Sequence, residues 1–80
     1  MKIPVIKKLV ETATIAQLRA AEDALLEEKT LEITVDGDDE GEQLTHILAA
    51  IEILHAMQHN GLDFISALRA YSQRVRTSIS

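Results

Sequence analysis

The stretch Glu40-Gly41-Glu42-Gln43-Leu44-Thr45-His46-Ile47-Leu48-Ala49-Ala50-Ile51-Glu52-Ile53-Leu54-His55-Ala56-Met57-Gln58-His59 decides the fold. It reads as one long helix, stopped by Asn60-Gly61, where glycine supplies the left-handed residue that ends helices. At 100° per residue, Leu44, Ile47, Leu48, Ile51 and Leu54 fall on one side, and Ile53, Met57, Ala49 and Ala50 fall largely on another. A helix apolar over so much of its circumference is covered on two sides. In a chain of only 80 residues, a second subunit is the expected cover for one of them. The expected interface comprises Leu48, Ile51, Ile53 and Met57, joined by Ile33 and Val35 from the segment before the helix.

Downstream, Asp63 caps a final helix whose inward stripe is Phe64, Leu68, Tyr71, Val75 and Ile79. Residues 43–80 therefore form a helical hairpin. Upstream, Leu31-Glu32-Ile33-Thr34-Val35 alternates apolar and polar residues, the period of a half-buried strand. Such a strand needs a partner, either the N-terminal segment or its own copy across a two-fold axis. Asp36 to Glu42 is an acidic turn. Thr14-Ile15-Ala16-Gln17 fits a capping box, and Ile15, Leu18, Ala21, Leu25 and Leu26 then follow on one helical face. Pro4 suits the first position of a short N-terminal helix, with Val5/Leu9 and Ile6/Val10 at i, i+4. The competing reading is an edge strand through Ile3 and Val5. The expected fold is mainly α, bordering on α+β, in the order short helix, helix, short strand, long helix, helix. The alternative is β-α-β-α-α.

Length and composition narrow the classes. Residues 1–80 make a single domain, with 46% apolar and 26% charged residues, a globular balance. No cysteine is present, so disulfides, thiolate metal sites and thiol nucleophiles are excluded. The longest apolar run, Ile47 to Ile51, is far short of the ~20 residues that span a bilayer. The basic start lacks a signal-peptide core, so a cytoplasmic location is expected, with no membrane partner. The net charge of −5 argues against nucleic acid. All 13 acids lie in residues 9–63, alongside only Arg19 and Lys29, whereas the ends carry Lys2, Lys7, Lys8, Arg69, Arg74 and Arg76. Basic ends and an acidic middle favour pairing of the chain with itself.

Few motifs carry chemistry. Asp36-Gly37-Asp38-Asp39-Glu40-Gly41 resembles the start of a calcium loop, but its twelfth position falls on the apolar Ile47. An acidic turn that enriches the next helix's N-terminus in negative charge is the simpler reading. Glu52, His55 and His59, spaced by three and four residues, share neighbouring turns of one face and form the only candidate metal set. Against it stands a structural histidine, His55 bonded to Glu52, while His46 points elsewhere. Ser66, Ser72, Ser78 and Ser80 have no base-and-orienter set, and Gly37, Gly41 and Gly61 have no nucleotide-binding spacing. Tyr71 lies in the buried stripe rather than free to stack a base. No cofactor and no enzymatic activity are expected.

Ile3-Pro4-Val5-Ile6-Lys7-Lys8-Leu9-Val10-Glu11, Ala20-Ala21-Glu22-Asp23-Ala24-Leu25-Leu26-Glu27-Glu28, Asp39-Glu40-Gly41-Glu42-Gln43-Leu44-Thr45-His46 and Ala67-Leu68-Arg69-Ala70-Tyr71 together resemble a small uncharacterised bacterial protein family of about this length. The resemblance covers essentially the whole chain. It implies a stand-alone bacterial cytoplasmic domain and no catalytic residues, and it directs attention to Gly41, Glu42, Gln43 and Thr45. The expected function is that of a non-enzymatic interaction protein that self-associates as a homodimer. The alternatives are a metal-binding helical protein using Glu52, His55 and His59 at a dimer interface, and a small subunit of a larger protein partner.

Overall fold

The computed structural model describes residues 1–79, with side chains through Val75. Arg76, Ser78, Ile79 and Ser80, singled out by the sequence, therefore have side chains outside the described residues. Among the described residues four helices follow one another: α1 (Ile3–Thr12), α2 (Ile15–Leu26), α3 (Glu40–Asn60) and α4 (Phe64–Ile79). α3 is the central element and packs against each of the other three. Among the described residues no helix is long and apolar enough to cross a membrane.

Local chemistry sets the helix ends. Pro4 sits in the first turn of α1, where its missing N–H costs nothing, and the strand reading of Ile3 to Val5 gives way to helix. The capping box of α2 forms: the Gln17 N–H donates to Thr14 Oγ1 at 3.1 Å, and the Thr14 N–H donates to Gln17 Oε1 at 2.9 Å. α2 ends in a Schellman-type turn. The Lys29 N–H donates to the Ala24 carbonyl at 2.7 Å, and Glu28 takes the left-handed position at φ 58° where glycine is usual. Asp39 caps α3 by accepting the Glu42 N–H at 2.7 Å, and Gly61 closes it at φ 65°. Asp63 opens α4 by accepting the Ser66 N–H at 2.8 Å.

Among the described residues Leu31–Val35 is not a strand; the chain bends at Glu32 and Ile33. The N-terminal segment that might have paired with it is taken up by α1. The alternation instead marks a bent connection that sends every second side chain inward. Val35 is buried, and Leu31 and Ile33 pack half-buried against the core. Gly37 brings this connection onto the first turn of α3 so closely that a Cβ there would lie 2.8 Å from the Gln43 backbone nitrogen. The connection has no room for a side chain at that point.

The core joins Ile6, Leu9 and Val10 of α1, Leu18 and Ala21 of α2, Ile47, Ala49, Ala50, Ile53 and Leu54 of α3, and Ala67 of α4. The face of α3 carrying Ala49, Ala50 and Ile53 is thus fully buried within one chain. It was the face for which the sequence implied a second subunit. The small Ala21, Ala49, Ala50 and Ala67 let neighbouring helices approach α3, so three short helices supply the cover. The inward stripes of α2 and α4 also shift. Leu26 is 65% exposed and Val75 37%, whereas Ala67, absent from the expected stripe, is buried.

Candidate functional site

One row of α3 remains less covered than the rest. Leu44 and Ile51 are half-buried, and Leu48 is 40% exposed. Their i, i+4, i+7 spacing places them in line, with exposed His55 continuing the row. Leu48 and Ile51 form the floor of a groove of 480 Å³ between α2 and α4. Arg19 and Glu22 of α2 form one wall, and Tyr71, Arg74 and Val75 of α4 form the other. Glu52 on the floor's edge pairs with Arg74 across to α4. Burial pushes the Tyr71 phenol above its ordinary 10.0, with the Glu52 charge adding to the shift. Each side of the groove therefore carries one acid and one base around an apolar floor. A more voluminous groove of 580 Å³ runs between α2, where Ala16, Ala20 and Ala24 leave space, and residues 29–33.

The expected interface residues separate into two groups. Leu48 and Ile51 reach the groove. Ile53, fully buried, and Val35, 5% exposed, belong to the interior, while Met57 and Ile33 pack against the core from half-buried positions. Neither Ile53 nor Val35 can touch another molecule without the chain opening.

The metal triad does not assemble. The Glu52 carboxylate is turned to the Arg74 guanidinium rather than to His55. His55 and His59 stack on each other, with ring centroids 4.1 Å apart and planes at 24°. Both rings are exposed, so His55 is not the core residue its place in the leucine row suggested. Among the described residues no group of three or more His, Asp or Glu side chains is placed to hold a metal ion. The acidic turn is likewise tied into the fold, and Ile47, at the calcium loop's twelfth position, is fully buried.

His46 is the polar residue that the sequence reading passed over. It is completely buried. Its Nε2 accepts the Lys2 backbone N–H at 2.9 Å, and its Nδ1 lies 2.8 Å from the Asp36 carbonyl oxygen. A backbone N–H only donates and a carbonyl only accepts, so the ring is the neutral tautomer protonated on Nδ1. His46 thereby joins the start of α1, the 27–39 connection and α3. Polar contacts surround it: Gln43 Nε2 donates to the Val35 carbonyl at 2.9 Å, and the Lys2 ammonium faces Asp38 at 3.4 Å and Glu42 at 3.6 Å. The Asp38 charge, then Glu42, raises the Lys2 ammonium above its usual 10.5. Gln43 and Glu42, two of the positions marked at this junction, thus fasten the connection to α3. Thr45 Oγ1 donates to the Gly41 carbonyl within the helix at 2.9 Å. A signal for His46 existed, because it shares a helical row with Ala50, Ile53 and Leu54, all of them buried.

The chain belongs to the DUF6952 family, a family of unknown function, which it matches over residues 1–80. No curated protein and no solved structure matches it.

Proposed function

We propose that the protein is a non-enzymatic interaction module of the bacterial cytoplasm that associates with a second copy of itself through the groove between α2 and α4. The observation that carries this reading is the row Leu44, Leu48 and Ile51, which three neighbouring helices leave partly open on α3. Apolar side chains at i, i+4 and i+7 are what one helix offers another in ridge-and-groove packing. An antiparallel two-fold through Leu48 would set Leu48 against its own copy and Leu44 against Ile51 of the other chain. The same operation lays each charged wall against itself in reverse. Arg19 would then meet the other chain's Glu22, while Arg74 stays paired with Glu52 of its own chain. A groove of one sign would repel its copy; one with both signs on each side does not.

The test is sedimentation of the full chain and of Leu48→Glu. The replaced side chain is 40% exposed, so the variant keeps its helices while charge enters the contact. The expected result is a wild-type dimer and a monomeric, equally helical variant. A monomeric wild type, or a dimer unaffected by Leu48→Glu, overturns the reading. Ile53→Glu would be uninformative, because charge at a fully buried position unfolds the chain.

A further inference from the structure

We propose that His55 and His59 form a two-imidazole site for a divalent transition-metal ion of the zinc class, without Glu52. The two residues lie one turn apart on α3, and both rings are exposed and already on the same side, with centroids 4.1 Å apart. Among the described residues neither ring makes a hydrogen bond, so each keeps a nitrogen lone pair in its neutral form. His46 is different: both its nitrogens are engaged inside the core. Imidazole nitrogens sit at ~2.0–2.1 Å from zinc. In the stack, the lone pairs lie in nearly parallel planes and do not converge. A modest pivot of two exposed side chains turns both toward one ion, with no cost in core packing. The site lies in the last turns of α3, where the carbonyl end of the helix dipole favours a cation.

Glu52 lies outside this set because Arg74 holds its carboxylate. Two protein ligands leave the remaining coordination positions to water, so the site is an open one. The inference does not depend on self-association, since both ligands come from one chain.

The experiment is calorimetric titration of the metal-free full chain with zinc chloride, paired with thermal unfolding at each zinc level. One zinc per chain is expected, with a rise in the unfolding midpoint, since zinc binds the formed helix. His55→Ala and His59→Ala should each weaken binding by at least about tenfold, the low end of what loss of even an outer partner costs. Glu52→Gln should leave it unchanged. Circular dichroism of each variant, expected to match the wild type at these exposed positions, separates ligand loss from unfolding. Absence of zinc binding overturns the proposal. So does binding that survives the double histidine variant, which would place the ion on the acidic turn, or binding lost in Glu52→Gln.

Discussion

His46→Phe removes both nitrogens from the junction while keeping a planar ring in its place. The Lys2 N–H and the Asp36 carbonyl lose their partners at a site where the ring between them has no exposed surface. A polar group left without its partner costs about 1–3 kcal/mol. Both backbone groups are only partly buried, so the lower half of that range applies, and the pair costs roughly 2–4 kcal/mol. The extra apolar burial of the phenyl ring offsets on the order of 1 kcal/mol. The net loss is about 1–3 kcal/mol, against a total stability of roughly 4–12 kcal/mol for 80 residues. At about 4–8 °C per kcal/mol for a domain of this size, the unfolding midpoint falls by roughly 5–20 °C. Urea unfolding followed by circular dichroism measures the loss, and amide exchange locates it. Protection should fall first at Lys2 and in α1, which His46 ties to α3. A variant within about 0.5 kcal/mol of the wild type, with Lys2 exchange unchanged, would refute the role assigned to His46.

Two further substitutions test the helix ends. Glu28→Gly should raise stability by about 0.5–1 kcal/mol in urea unfolding, because relief of the left-handed backbone, roughly 1–2 kcal/mol, exceeds glycine's greater unfolded entropy. Asp63 has its carboxyl held below the usual 3.8, chiefly by the Ser66 backbone N–H. Its contribution is therefore complete above 3.8 and lost as pH falls through the lower folded value. Asp63→Asn keeps a capping oxygen but removes the proton uptake, so acid unfolding followed by α4 helicity should be shallower in the variant than in the wild type.

The sequence carried its helices in chemistry that acts locally. Thr14 with Gln17, Pro4, Gly61 and Asp63 each satisfy or terminate a helix end within a few residues, so their pattern survives without knowledge of the tertiary fold. Leu31 to Val35 misled because alternation records which side chains turn inward, not whether a neighbouring backbone is present. A bent connection crossing the core gives the same pattern as a strand. Two-sided burial of α3 was legible as well, but the identity of the cover was not. That depends on how closely α1, α2 and α4 approach, a matter of alanines at Ala49, Ala50 and Ala67 rather than of hydrophobicity. His46 and His55 changed places for a related reason. The leucine row that contains His55 is apolar yet half-open, whereas His46 lies in the alanine and isoleucine row at the centre. Neither hydrogen bond of His46 reaches a side chain, so no partner residue type announces it.

Self-association through the Leu44, Leu48 and Ile51 row is the central claim, and native mass spectrometry of the untagged full chain tests it most directly. The expected result is a species of two chains that dissociates to one on dilution, with no other polypeptide needed. A single-chain mass at every concentration would contradict it.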